Sequence, residues 1–222
     1  MNTRIKIDFV SDVSCPWCAI GLGSLEKALA RLGEQVTAEV HFQPFELNPQ
    51  MPAGGQDIAE HLAEKYHATP EQTESNREAI RARGEEVGFI FRMDKRDRIY
   101  NTFDAHRLLH WAELEGRQQA LKHALFQAYF TEGENPGDHD VLIRLAEKAG
   151  LDAVRAREIL SSNIYVDEVR ERERFYLDQG IHSVPAVIIN DRYLIQGGQP
   201  ADVFERALRQ VAATEQSPQA MS

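Results

Sequence analysis

The 222-residue chain has two cysteines, and they stand three apart in Cys15-Pro16-Trp17-Cys18. Two thiols at that spacing on the first turn of a helix share a face and can join, so the chemistry they offer is reversible dithiol/disulfide exchange. Pro16 suits such a turn, because its missing N–H would be unpaired there in any case. The amides at a helix start carry partial positive charge, which favours thiolate over thiol at Cys15. Cys15, at the helix end, is expected to face out as the attacking sulfur. Cys18 continues an apolar stripe and is expected to face in, as the resolving sulfur. Two other readings use the same residues. A metal site would add His106 and His110, an i, i+4 pair far along the chain. An inert pair would require both thiols to be covered.

The elements around the dithiol follow from periodicity. Ile5, Ile7 and Phe9 alternate with Arg4, Lys6 and Asp8, which predicts a strand. Cys18, Leu22, Leu25, Leu29 and Leu32 recur at helical spacing, with Gly33 as a stop. Val36, Ala38, Val40 and Phe42 alternate again. A strand–helix–strand unit of this length predicts parallel neighbours joined by a right-handed crossover. From Asp57 to about Asp178 the pattern is almost wholly helical. Thr69-Pro70-Glu71-Gln72 is a capping box, a helix is predicted from Thr102 to Gly116, and Leu121, Ala124, Leu125 and Ala128 mark another. Asp152 caps a short helix, and a charged one runs from about Ile164 to Asp178. Phe89-Ile90-Phe91 reads equally as loop or strand. Sheet character returns at Ala186–Ile189 and Arg192–Gln196, which flank the hairpin signal Asn190-Asp191. Pro200 opens a last helix with Phe204, Ala207, Leu208 and Val211 on one face. The order is βαβ, a helical block, then ββα.

Acidic residues outnumber basic ones, 35 to 25, and the formal charge of -10 disfavours a nucleic-acid partner. No apolar run approaches the ~18 residues of a membrane span. The first residues lack the apolar run of a signal peptide, so a cytoplasmic location is expected. In that compartment structural disulfides are rare, and a close cysteine pair points to catalysis or metal binding.

Ser183-Val184-Pro185-Ala186-Val187 places a proline at the first residue of a strand, where its missing N–H is tolerated. By itself Pro185 predicts a trans bond, cis being found in ~5–6% of X–Pro bonds. Together, the CPWC dithiol on βαβ, the helical block, and Val184-Pro185 before ββα closely resemble the DsbA family of the thioredoxin superfamily. Pro44-Phe45-Glu46-Leu47-Asn48-Pro49 and Asn101-Thr102-Phe103-Asp104-Ala105-His106-Arg107-Leu108 look like its cytosolic FrnE-like branch. The resemblance covers about residues 4–212. It implies an α/β, thioredoxin-like fold with a large all-helical insertion. Residues 1–50 and 180–213 would form a discontinuous thioredoxin-like domain, 51–179 the inserted domain and 214–222 a flexible tail. It further implies a cis Pro185 beside the dithiol, with Val184 offering backbone groups to an extended substrate. Pro16 and Trp17 join them as expected substrate contacts.

The implied activity is exchange with a disulfide-containing peptide or small molecule, with no dissociable cofactor and no metal. FrnE-like proteins sometimes carry a second CxxC; this chain has none, so electrons must pass to an outside partner such as a thioredoxin or glutathione system. The chain could act as a monomer or a homodimer. Three further residues are candidates for support. Asp8 stands seven before Cys15, near where the superfamily holds a buried acid, and otherwise reads as a solvated charge at a sheet edge. His106 and Arg107 follow a helix cap at Asn101 or Thr102; they either steady a thiolate from the insertion or form surface ion pairs. His182, three before Pro185, reads as an exposed loop residue. Two rival functions remain. One is a glutathione-dependent isomerase or transferase similar to the kappa-type transferases and hydroxychromene-carboxylate isomerases, which use a lone serine or cysteine. The other is a non-catalytic holdase gripping extended chains.

Overall fold

The computed structural model describes residues 3–216. Strand β1 (Thr3–Ser11) leads into helix α1 (Pro16–Leu32), and a turn of 3-10 helix at Gly33–Gln35 returns the chain as β2 (Val36–Pro44). β1 and β2 pair in parallel with Ile7 opposite Val40. β5 (Ala186–Ile189) pairs antiparallel with β1, and β6 (Tyr193–Gln196) antiparallel with β5, giving the order β2-β1-β5-β6. Asn190 and Asp191 both take positive φ, as a two-residue hairpin turn requires. The Asn190 side chain accepts a hydrogen bond from Lys6 N at 2.9 Å and ties the turn to β1.

Alternation along β1 sorts its residues between two layers. Ile5, Ile7 and Phe9 join the main core with Leu22 and Leu25 of α1 and with Phe204 and Leu208 of α9 (Ala201–Gln216). Val10 packs on the opposite face with Phe45 and with Tyr176 of α8 (Val166–Asp178). The last helix runs to Gln216, past the expected domain end at 213, and the remainder of the expected tail lies outside the described residues.

The inserted block has two parts. The first contains α2 (Ile58–Tyr66) and α3 (Pro70–Val87), flanked by β3 (Gln56–Asp57) and β4 (Arg98–Ile99). These two short strands pair antiparallel, and at two residues each they are too brief to show as periodicity. Thr69 and Gln72 form the expected capping box at the start of α3. Phe89 and Phe91 lie in a loop, not a strand, their rings 4.7 Å apart. The second part contains α4 (Phe103–Leu114), α5 (Gln118–Gln127), α6 (His139–Lys148), α7 (Ala153–Leu160) and α8. It has an apolar core of its own, built from Leu108, Leu121, Leu125, Leu142 and Ile159 among others. α5 continues into a π-helical turn at Ala128–Glu132 that places Tyr129 and Phe130 against the main core. Among the described residues, no helix is long and apolar enough to cross a membrane.

Candidate active site

Cys15 is the N-cap residue of α1, in extended conformation, and Pro16 occupies the first turn. Its carbonyl accepts hydrogen bonds from Cys18 N at 3.1 Å and Ala19 N at 3.4 Å, which holds the two thiols on one turn. Both thiols are free. Cys18 is fully buried, as its place on the apolar stripe predicts; Cys15 is only 4% exposed. The outer sulfur therefore does not face open solvent. It opens into a cavity of about 470 Å³ whose far wall is α2 and α3.

The Val184–Pro185 bond is cis, as the family resemblance implies and single-sequence statistics do not. Val184 O lies 3.8 Å from Cys15 Sγ and accepts from the thiol. Gly21, one turn beyond Cys18, lets α1 approach this loop: a Cβ there would sit 3.1 Å from Pro185 Cγ. Trp17 is half-buried and lines the cavity beside Cys15 and Val184.

Behind the sulfurs lies a charged group that no sequence pattern announced. Asp12 is fully buried in the turn between β1 and α1. Its carboxylate accepts from Ser14 N at 3.1 Å and Leu47 N at 2.7 Å, so it fastens the 44–49 loop against the dithiol turn. Burial alone would raise its pKa, but the His106 imidazole and these two amides bring it below the ordinary carboxylate value. His106 Nε2 stands 3.7 Å from Asp12 Oδ1, beyond hydrogen-bond length. Lys122 of α5 is also wholly buried, and its Nζ has no hydrogen-bond partner among the described residues. It sits 4.8 Å from the Phe126 ring centroid and 6.0 Å from that of Phe42. Burial pushes its pKa down to about 8, against the pull of negative charge on Cys18, Asp12 and Cys15. Burial, and next the neighbouring Cys15 sulfur, push the Cys18 thiol upward, while Lys122 acts to lower it.

The remaining candidates sit elsewhere. Asp8 alternates with Ile7 and Phe9 and so lies on the face of the sheet away from α1. It is not at a sheet edge, since β1 is an inner strand, and it is not solvated: it accepts from Gln43 Nε2 at 2.6 Å and pairs with Lys6 at 2.9 Å. Arg107 is buried rather than on the surface. It donates to Ile159 O, to Ser162 O at 2.6 Å and to Ile164 O at 2.8 Å, and pairs with Asp104 at 2.7 Å. It clamps α4 to the loop after α7. His182 is exposed, and His110 packs on the Tyr165 ring at 5.0 Å. Lysine at 122 falls on a Gln118-Lys122-Leu125-Tyr129 stripe of spacing 4, 3, 4, a buried face that its polar members conceal.

A mixed sheet entered by a dithiol-bearing helix, with a cis-proline loop against the outer sulfur, defines the thioredoxin class of redox proteins. Within it, residues 6–209 match the model of the DSBA-like thioredoxin domain, and the chain belongs to that family. It is 32% identical over 209 residues to the uncharacterized protein YwbO of Bacillus subtilis, covering 94% of this chain and 96% of that one. The crystal structure of a probable DsbA oxidoreductase from Streptomyces coelicolor is similar at 35% identity and TM-score 0.87, covering 98% of this chain and 94% of that one. A 2-hydroxychromene-2-carboxylate isomerase shares the fold at 16% identity and TM-score 0.69, over 95% of this chain and 97% of that one. Thiol–disulfide oxidoreductase chemistry is thus supported at the level of the family.

Proposed function

We propose that the chain performs thiol–disulfide exchange through Cys15 and Cys18 on a peptide or small-molecule disulfide. The Cys15 thiolate attacks one substrate sulfur, and the other leaves as a thiolate. Cys18 then attacks Cys15 Sγ, the bond from Cys15 to the substrate breaks, and the second substrate thiolate departs. Two electrons have passed to the substrate and the protein holds a Cys15–Cys18 disulfide, which an external dithiol or two thiols must reduce. The reverse sequence oxidises a substrate dithiol.

The observation that carries this reading is the seating of the outer sulfur: Cys15 lies at the start of α1, against Val184 O, and opens onto the cavity. In this reading an incoming disulfide comes to that sulfur through the cavity, past Trp17 and Val184, and an extended chain adds as a strand to the Val184 backbone. The cavity wall is mainly apolar, with Ile80, Leu62 and Met93, and adds the cations Arg77 and Arg96. That combination favours a substrate with an apolar body and a carboxylate, and a volume of this size suits a short peptide or a small disulfide.

The test is turnover of insulin or a small aromatic disulfide with dithiothreitol as reductant. Cys15→Ser is expected to abolish it. Cys18→Ser is expected to stall as a mixed disulfide that mass spectrometry locates on Cys15. Full isomerase or transferase activity in Cys18→Ser, with no trapped adduct, would replace this reading by the glutathione-dependent one. Suppression of client aggregation by the double serine variant, with no exchange in the wild type, would replace it by the holdase.

A further inference from the structure

Acids make up 35 of the 222 residues, yet among the described residues no acid lines the cavity before Cys15, while two arginines do. Arg77 of α3 is already paired, with Glu74 at 3.7 Å. Arg96 forms no ion pair among the described residues, and its Nε is buried without a hydrogen-bond partner. The acids next to it in sequence do not serve it: Asp94 is held by Arg92 at 2.8 and 3.0 Å, and Asp97 is exposed. The π-helical turn at Ala128–Glu132 is what seats Arg96, and such turns recur at functional sites. Arg96 Cζ lies 4.8 Å from the Tyr129 ring centroid and 5.1 Å from that of Phe130, within stacking range of both. Residues 92–98 are tied to the turn at both ends. Arg92 N donates to Phe130 O at 2.9 Å, and Tyr129 OH donates to Arg98 O at 2.9 Å. Between them Gly133 admits Lys95, whose carbonyl oxygen would stand 2.5 Å from a Cβ there. Burial pushes the Tyr129 phenol upward, so it stays neutral and supplies no counter-charge. Burial also lowers the pKa of His61 across the cavity, which keeps that imidazole neutral at pH 7.

Resting on the exchange reading, we propose that Arg96 is the carboxylate anchor of this cavity, and that it selects small disulfides carrying a carboxylate on an apolar body. A guanidinium stacked on two rings keeps its edge free, and that edge matches a carboxylate with two parallel N–H donors. The turn fixes the group beforehand, so little freedom is lost when the anion arrives. The apolar body of the substrate rests on Ile80 and Leu62 while its disulfide reaches Cys15. A cation at this place also offsets the repulsion between an anionic substrate and the Cys15 thiolate, in a protein whose net charge of -10 otherwise turns anions away. The cavity, about 470 Å³ and walled by α2 and α3, has the size of a small-molecule site. A folded client presents its disulfide from outside this space and has no carboxylate of its own to place on Arg96.

The experiment compares two aromatic disulfides of similar size on the full-length reduced protein at pH 7 and low salt. One is 5,5′-dithiobis(2-nitrobenzoate), a dicarboxylate; the other is 4,4′-dithiodipyridine, which is uncharged. The readout is the ratio of their second-order rate constants for release of the first thiolate, so that a general disturbance of the fold cancels. In Arg96→Gln the ratio of dicarboxylate to neutral rate is expected to fall by about 10- to 100-fold, the scale of losing a charge-assisted contact. An unchanged ratio overturns the proposal. Insulin reduction, referred to the same neutral reagent, distinguishes a small substrate from a peptide one. Its ratio is expected to move by less than about threefold, and a fall as large as that of the dicarboxylate overturns the restriction to small disulfides. If Arg96→Gln does not fold, the salt dependence of the wild type decides. Net charge alone repels a dianion, so without an anchor added salt raises the dicarboxylate-to-neutral ratio; with one, added salt lowers it. A ratio that rises with salt overturns the proposal. Reaction of neither reagent with the wild type would instead sink the exchange reading.

Discussion

The two halves of the inserted block differ in how they are held. The α2–α3 half is thin: α3 buries only Ile80 and Gly84 over eighteen residues, and α2 only Ile58 and His61. The α4–α8 half has its own apolar core and the five-bond Arg107 clamp. The first half forms the far wall of the cavity in front of Cys15; the second carries the buried Lys122, and His106, which faces Asp12 of the dithiol turn. A wall with few buried contacts opens locally at low free-energy cost, whereas a platform with a core moves as a unit. The difference teaches that the cavity side of the dithiol is built to yield and the opposite side, backed by a second core, to stay fixed.

Arg107→Ala attacks the platform hardest. It leaves three inward carbonyls without their charged donor, and a loss on the order of 3 kcal/mol is expected in urea unfolding, with exchange activity per folded molecule unchanged. A large drop in exchange with unaltered stability would return Arg107 to the thiol site.

Lys122→Met is expected to act in the opposite direction. The folded-state pKa of about 8 lies below the ordinary 10.5, so between those values the unfolded chain binds more protons, and the wild type gains stability as pH rises from about 8 to about 10.5. Below pH 8 the full penalty applies, on the order of 3 kcal/mol, and methionine removes it. The variant should be more stable at pH 7, and the two stability curves should converge at high pH. A variant that is less stable at every pH would make Lys122 a packing residue.

Gly84→Ala strikes the yielding wall where it touches the core. A Cβ there would meet the Phe91 ring at 2.5 Å and Phe89 O at 2.8 Å, so a cost of ~1–3 kcal/mol is expected, together with a changed KM for bulky disulfides. An unchanged KM would show that the wall does not contact substrate. The smallest effect is that of Thr69→Ala, which removes the cap of α3 and should cost about 1 kcal/mol. Hydrogen exchange should show it confined to α3, with the α4–α8 amides unaffected; protection lost equally in both would erase the distinction between the halves.

Local pattern was enough to place the dithiol on α1, the parallel β1–β2 pair, the Asn190-Asp191 turn and the capping box, since each depends on neighbours in sequence. The covering of Cys15 was not legible, because the wall that encloses it comes from residues 58–99. Asp12 read as one polar residue in a loop; nothing local shows that Leu47 N completes its burial. Asp8 was a candidate because the superfamily holds a buried acid near that point of the chain, yet the two-residue period of β1 already directed it to the face opposite Ile7 and Phe9. Lys122 was hidden by its own type, since a lysine on a helix is ordinarily taken as solvated.

The cover over Cys15 comes from α2 and α3, outside the βαβ and ββα segments that carry both cysteines and the cis proline. Transplanting the four-residue thiol loop into a minimal scaffold would therefore leave that roof behind and bare the outer sulfur to solvent. Chimeras between relatives should keep the first strand–helix turn and residues 58–80 together, because the outer sulfur is enclosed only when both are inherited.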